Sequence, residues 1–156
     1  MKPLMIQGTS SDSGKTTLVA GLRRLFSNRG YSVAPFKSQN MALSSCVTAD
    51  GGEIARATAM QAAAARQEPI VHMNPLLLKP KTDEIAQLIV HGKPRQDVNA
   101  RDYFLYDQML ALKLEAIEES IAYLRRTYDL IVAEGAGSCA EPNLRKLDVV
   151  NMVQCG

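Results

Sequence analysis

Short apolar runs alternate with helical periodicity along most of the chain. The runs at residues 4–7, 32–36, 76–78, 88–90 and 130–133 have the length of buried strands. Apolar spacings of three and four predict a helix from residue 15 to about residue 29 and another over residues 103–124. An alanine-rich segment predicts a third helix, which begins at Asp50 as its N-cap and continues to about residue 66. Strands alternating with helices favour a three-layer α/β domain with a mainly parallel sheet.

The loop after the first predicted strand has the glycines, hydroxyls and lysine of a phosphate-binding loop, typical of a P-loop NTPase-like domain. Its sequence is GTSSDSGKTT. Glycine-rich turns let backbone N–H groups surround phosphate oxygens, and the following helix adds the positive end of its dipole. We expect Lys15 to reach the β and γ phosphates of ATP and Thr16 to ligate Mg2+. The predicted nucleotide-binding residues are Gly8, Thr9, Ser10, Asp12, Ser13, Gly14, Lys15, Thr16 and Thr17.

Glu134, Lys37 and Asp50 are candidates to complete this site. Glu134 follows an apolar strand, so it should project at the carboxyl edge of the sheet, where ligands of open α/β folds bind. We predict that it ligates magnesium and acts catalytically with Lys15 and Lys37. Lys37 ends the second strand, where it can neutralise charge on a transferring phosphoryl group. Each residue also has an interpretation without a functional role. Glu134 could be a solvated acid in a loop, Lys37 an exposed lysine at a strand end, and Asp50 only the cap of a helix.

Composition excludes several functional classes. The chain has 156 residues and a net charge of +2, with 18 basic residues scattered among 16 acidic ones. The printed sequence has no apolar run long enough to cross a membrane, and we do not expect its N-terminal residues to act as a secretory signal. We therefore expect a cytoplasmic protein without nucleic-acid or membrane partners, and we leave homo-oligomer formation open. His72 and His91 lack ligand-spaced partners, so we expect them to be structural or at the surface. The cysteines, without CxxC spacing, are Cys46, Cys139 and Cys155.

Five stretches together resemble the N-terminal synthetase domain of the cobyric acid synthase family. They are GTSSDSGKTTLVAGL, VAPFKSQNMALSS, VTADGGEIARA, MNPLLLKP and EGAGSCAEPNLR followed by DVVNM, in order from Met5 to about Met152. The first glycine of the loop, Gly8, lies one position earlier than in the common GxxxxGK[ST] form. Two related families, dethiobiotin synthetase and cobyrinic acid a,c-diamide synthase, share this loop and the EGAG turn. The FKSQNM segment distinguishes the chain from both.

This resemblance implies an ATP-dependent amide ligase of cobalamin biosynthesis. In that family ATP activates carboxylates of adenosylcobyrinic acid a,c-diamide, and ammonia released from glutamine by a separate C-terminal glutaminase domain displaces the phosphate. The resemblance implies that residues 8–16 hold the ATP phosphates and that Lys37 contacts the γ-phosphate or an acyl phosphate. Its implied magnesium ligands are Thr16, Asp50 and Glu134. Its candidate contacts to the corrinoid are Ser38, Gln39 and Asn40.

The sequence also departs from the family pattern. Cys139 and Pro142 replace other residues locally, and the chain closes soon after Met152, where the family continues. We therefore expect residues 1–156 to form a partial ATP-binding synthetase domain, incomplete at its C-terminus and without the glutaminase domain. The alternatives are an ATP-binding fragment without independent activity, a dethiobiotin synthetase-like enzyme, and a partitioning-type ATPase. Ser10 opposes the last, because those ATPases carry a lysine there.

Overall fold

The computed structural model describes residues 3–8, 14–99, 102–103 and 107–135. Its helices with described bounds are α1 (Lys15–Asn28), α2 (Arg56–Ala64) and α3 (Asp107–Thr127), and a 3-10 turn covers Val71–Met73. Its strands are β1 (Leu4–Ile6), β2 (Val33–Phe36), β3 (Gln39–Met41), β4 (Ser45–Val47), β5 (Glu53–Ala55), β6 (Leu76–Pro80), β7 (Ile85–Val90), β8 (Lys93–Asn99) and β9 (Leu130–Glu134).

A parallel three-stranded sheet has the order β1-β9-β2. Ile6 pairs with Glu134 in β9, and Phe36 of β2 pairs with Ala133, so the three strands end at the same level. The segments that leave their carboxyl ends therefore emerge side by side. The predicted α/β class with a mainly parallel sheet is confirmed.

A second sheet has the order β3-β6-β7-β8. β3 runs parallel to β6. β6 pairs antiparallel with β7, and β7 pairs antiparallel with β8. The strands predicted at residues 76–78 and 88–90 are present, but they form a hairpin. Only residues 81–84 separate β6 from β7, and so short a connection allows antiparallel pairing alone.

The apolar core lies on both sides of β2 and β9. On one side Val19 of α1 packs with Val33 and Val132. On the other side a larger cluster joins β2, β6, β7 and α3, in which Ile117 and Leu124 are fully buried. The apolar spacing that predicts this last helix therefore marks core positions in the described part of α3, where Leu110, Leu114 and Ile121 also pack against the cluster. No helix among the described residues is both long and apolar enough to cross a membrane.

The helix predicted to begin at Asp50 begins later, and the assignment of Asp50 as its N-cap was wrong. α2 starts at Arg56, and Asp50 lies in the turn between β4 and β5. The Thr48 hydroxyl donates to the Asp50 carboxylate, and the Thr48 N–H donates to the Gly52 carbonyl at 2.8 Å. Aspartate suits both helix caps and turns, and Gly51, at φ +81°, selects the turn here.

Candidate functional site

Glu134 joins four segments of the chain at the carboxyl edge of the parallel sheet. It ends β9 and is 2% exposed. Its Oε1 accepts hydrogen bonds from Thr16 Oγ1 at 2.9 Å and from Lys37 Nζ at 3.1 Å. Its Oε2 accepts a hydrogen bond from Gln61 Nε2 at 2.5 Å. The side chains at the start of α1, after β2 and on α2 therefore converge on one carboxylate.

The backbone around these side chains is closely held. Gly14 is the N-cap of α1 at φ +82°, a conformation that other residues adopt only with strain, so the helix starts sharply at Lys15. Lys37 is fixed because its N–H donates to Met73 O at 2.9 Å and its carbonyl accepts from Asn74 Nδ2 at 3.1 Å. The chain beyond β9 is tied to β1 by the Gly135 N–H, which donates to the Ile6 carbonyl at 3.0 Å.

The Glu134 carboxylate is held ionised. Burial would raise its pKa, but the Lys37 charge and the hydrogen bonds from Gln61, Thr16 and Lys37 outweigh burial, so the pKa lies below its ordinary value. Positive charge also lies behind β9. Arg23 is fully buried, and its Nε and Nη2 donate to the Val132 carbonyl at 3.2 and 2.5 Å. Burial lowers the pKa of Arg23 to about 9, against a smaller opposing effect of the Glu134 charge.

The groups gathered here suit a phosphate anion together with a hard divalent cation. Hydroxyl and carboxylate oxygens are the donors that Mg2+ prefers, and it commonly takes only one or two protein carboxylates beside waters and phosphate oxygens. Thr16 donates its hydrogen to Glu134, which leaves the lone pairs of its oxygen available as a ligand. In the part of the chain that the structure describes, no three His, Cys, Asp or Glu side chains are grouped to hold a metal alone. The donor set therefore fits magnesium bound with phosphate better than a purely protein-ligated metal.

Residues 4–150 match a family model described as the CobQ/CobB/MinD/ParA nucleotide binding domain, CbiA. The chain belongs to this family. The match includes β1, the loop and α1 that follow it, and β9 with Glu134.

Among curated proteins, this nucleotide-binding domain resembles cobyric acid synthases from bacteria and archaea. It is 57% identical over 150 residues to the cobyric acid synthase of Aliivibrio fischeri, covering 96% of the chain and 30% of that protein. It is 56% identical over 151 residues to a probable cobyric acid synthase of Methanothermobacter thermautotrophicus, covering 97% of the chain and 30% of the relative. The corresponding protein of Methanocaldococcus jannaschii is 52% identical over 149 residues, again with 96% and 30% covered.

These matches confirm the resemblance inferred from the five sequence stretches. The chain spans about 30% of the length of the curated relatives it matches.

The structure brings part of the predicted site of the nucleotide-binding domain together. Thr16, Lys37 and Glu134 are in direct contact. Gly8 lies two residues beyond the end of β1, while Gly14, Lys15 and Thr17 form the start of α1. The predictions for Thr9, Ser10, Asp12 and Ser13 fall outside the described residues.

The other predicted residues lie apart from the Glu134 contacts. No hydrogen bond or ion pair between described residues joins Asp50 to Glu134, and Asp50 is exposed in the β4–β5 turn. Ser38 is fully buried, and Gln39, 9% exposed, accepts a hydrogen bond from the Tyr103 hydroxyl at 2.8 Å. Asn40 is half-buried and so has the most accessible side chain of the three predicted corrinoid contacts.

Gln61 and Arg23 were missed by sequence reasoning. Gln61 lies in an alanine-rich segment, and on α2 it shares burial with another polar residue, Thr58, so the sequence pattern did not single it out. Arg23 lies four residues after Val19, on the same face of α1, and both are fully buried. The apolar spacing that predicts α1 includes Leu18 and Leu25, yet these two leucines are 56% and 43% exposed. An arginine within an apolar helical face was therefore the available signal.

Proposed function

We propose that this domain binds ATP with magnesium and acts as the ATP-dependent part of an amide ligase on corrinoid carboxylates. The observation that carries the proposal is the convergence of Thr16, Lys37 and Glu134 at the carboxyl edge of the parallel sheet, beside the start of α1. Phosphoryl transfer depends mainly on positioning and charge neutralisation, which such a site provides. The family assignment supports nucleotide binding, and the names of the relatives support cobyric acid as the product.

The proposed reaction has two steps. The γ-phosphoryl group of ATP moves to an oxygen of a corrinoid side-chain carboxylate, which gives an acyl phosphate and ADP. Ammonia then attacks the acyl carbon, so that a C–N bond forms, the C–O bond to phosphate breaks, and phosphate and a proton leave. The substrate is adenosylcobyrinic acid a,c-diamide, and the ammonia comes from glutamine through a glutaminase domain or subunit.

The residues of the loop and strand ends have distinct roles in this scheme. Residues 8–17 hold the ATP phosphates, with Lys15 donating to the β and γ groups. Thr16 and Glu134 would hold magnesium, with Asp50 as a further candidate, and the bound ion supplies positive charge to the phosphate oxygens. Lys37, whose side chain is 16% exposed, keeps a cation where the transferred group carries negative charge.

The corrinoid carboxylate must approach the same edge of the sheet. Our candidates for contacting the corrinoid are Ser38, Gln39 and Asn40, which follow Lys37 directly in the chain. Asn40 combines an accessible amide with a position in β3, and it is therefore the first of the three to test. An amide side chain matches the carboxylate and carboxamide groups of such a substrate by hydrogen bonding.

The deciding experiment measures phosphate release from ATP and magnesium by the purified chain, with and without the corrinoid diamide and ammonia. We expect release to be stimulated by the two together and lost in Lys15→Ala, with amidated corrinoid as the product. ATP binding without any stimulation would contradict ligase activity and favour an ATP-binding fragment. Release that is unaffected by the corrinoid would favour a simple ATPase.

A further inference from the structure

Gln61 reaches the candidate site from a helix on which no site residue was predicted. It lies on α2 and is 2% exposed. Its Nε2 donates to Oε2 of Glu134, while Oε1 of the same carboxylate accepts from Thr16 and Lys37. The two carboxylate oxygens therefore have different partners, and Gln61 is the partner on the side away from Thr16.

The orientation of the Gln61 amide follows from the chemistry of its neighbour. An ionised carboxylate only accepts hydrogen bonds, so the NH2 group of the amide must face Glu134. The Oε1 atom of Gln61 is then left buried, and it accepts no hydrogen bond from the described residues. A buried carbonyl oxygen without a donor is unfavourable. The contact with Glu134 is therefore the interaction that accounts for a glutamine at this position.

We propose that Gln61 is a positioning residue that orients the Glu134 carboxylate and thereby sets the magnesium affinity of the site. The inference rests on the proposed function. The terminal torsion of a glutamate side chain has broad minima, so the carboxylate needs partners to hold one orientation. With Oε2 held by Gln61, Oε1 remains directed at the Thr16 hydroxyl and the Lys37 ammonium. Residues behind a metal ligand commonly tune metal affinity in this way.

The test is a magnesium titration of ATP binding by the purified chain. Gln61→Met keeps an unbranched side chain of similar length on the helix but removes the donor. We expect it to raise the magnesium concentration for half-maximal ATP binding by about tenfold or more. ATP affinity measured in EDTA should stay within about twofold of the unmodified chain, since the loop that holds the phosphates is untouched.

Thr58→Val is the matched control. Thr58 is fully buried on the same helix, and its hydroxyl has no hydrogen-bond partner among the described residues. The replacement keeps the side-chain volume and disturbs α2 without touching Glu134. Its magnesium requirement should equal that of the unmodified chain. If Gln61→Met does not fold, Gln61→Asn replaces it, because the shorter amide withdraws the donor from Glu134 while keeping a polar side chain.

A double-mutant cycle separates positioning from a general structural role. If Gln61 acts through Glu134, Gln61→Met should add little to the magnesium requirement of Glu134→Gln, whereas independent structural damage would add fully. Equal losses in both backgrounds, or a Gln61→Met titration that matches Thr58→Val, would overturn the proposal. Absence of magnesium-dependent ATP binding in the unmodified chain would instead contradict the proposed function itself.

Discussion

Two partly buried polar clusters among the described residues have similar construction but lie in different places. One surrounds Glu134 at the end of the parallel sheet. The other lies where α3 crosses the hairpin sheet, and in it the Ser120 hydroxyl contacts His72 Nδ1 at 3.1 Å and His91 Nε2 at 2.9 Å. Each cluster links side chains from separate segments through hydrogen bonds.

The clusters differ in charge and in topology. The Glu134 cluster contains an ion pair, stands at the ends of parallel strands and includes the first turn of a helix. The histidine cluster joins the 3-10 turn and the β7–β8 turn to the middle of α3, and His72 stacks on Tyr123 with ring centroids 4.3 Å apart. It ties elements together, as expected for structural histidines. Of these two clusters, the Glu134 cluster is the one that lies where strand ends and a helix N-terminus meet, which is where open α/β folds bind anionic ligands.

The largest expected effect is a loss of stability on replacing Gly92, which lies in the turn between β7 and β8. Gly92 follows β7 at φ +75°, and a Cβ there would lie 2.7 Å from the Glu53 nitrogen. Gly92→Ala should therefore lower the free energy of unfolding by roughly 2–4 kcal/mol, through strain and overpacking. Chemical denaturation measures this loss.

Gly21→Ala provides the comparison for that variant. An added Cβ at Gly21 meets nothing within 4 Å, and the residue lies inside α1, where alanine is the better helix former. We expect Gly21→Ala to raise the free energy of unfolding by about 0.5–1 kcal/mol.

The nucleotide affinity of folded Gly92→Ala should equal that of the unmodified chain. A large loss of affinity would show that the hairpin sheet and the Glu134 cluster are coupled.

Lys15→Ala should have the next largest effect, confined to the other region. Removing a cation that binds phosphate oxygens should weaken ATP binding about 10- to 100-fold, the range of a charged hydrogen bond. The free energy of unfolding should change by about 1 kcal/mol or less, because Lys15 is half-buried at the first turn of α1 and outside the apolar core. Calorimetric titration and denaturation provide the two values. Undiminished affinity in the folded variant would remove the phosphate-loop assignment.

Replacing each acidic candidate with its amide tests the predicted magnesium ligands. Glu134→Gln removes a buried negative charge beside Thr16 and should raise the magnesium requirement for ATP binding by about tenfold. Asp50→Asn should shift it less, because Asp50 lies in the exposed β4–β5 turn. An unchanged curve for Asp50→Asn would leave that residue as part of the turn only. An unchanged curve for Glu134→Gln would contradict its assignment as a ligand.

The smallest effect concerns the pH dependence of the histidine cluster. Burial, and then the neighbouring His91, lower the pKa of His72 below 6.5. The unfolded chain therefore takes up this proton at higher pH than the folded chain does. Stability from this group is complete above pH 6.5 and declines as the pH falls through the lowered folded pKa. Unfolding measured between pH 7 and pH 5 should show a weaker decline in His72→Gln, and an identical decline would mean that other groups cause it.

The local parts of the fold could be predicted because their signals are local. The strand, glycine-rich loop and helix at the start of the chain lie within about 30 residues, and Glu134 directly follows an apolar run. The antiparallel pairing of β6 and β7 could also have been predicted, because the two apolar runs are too close in the sequence for a parallel crossover. The start of α2 was misplaced because Asp50 satisfies the rules for a cap and for a turn equally. The two glycines that follow it should have decided for the turn.

The tertiary parts of the site had no comparable signal. Gln61 is separated from Glu134 by 73 positions, and Arg23 is separated from Val132 by 109. Whether such residues meet depends on how α1 and α2 pack against the sheet, and helical periodicity does not specify that arrangement. Lys37 was predictable only because the end of a parallel strand is a fixed place in the fold.

The central claim is that this chain binds ATP with magnesium at the carboxyl edge of the parallel sheet, beside the start of α1 and Glu134. Isothermal titration of the 156-residue chain with ATP, in magnesium and again in EDTA, tests it most directly. We predict saturable binding of one ATP per chain that tightens with magnesium and weakens strongly in Lys15→Ala. Absence of binding by the folded chain, or equal binding by folded Lys15→Ala, would contradict the claim.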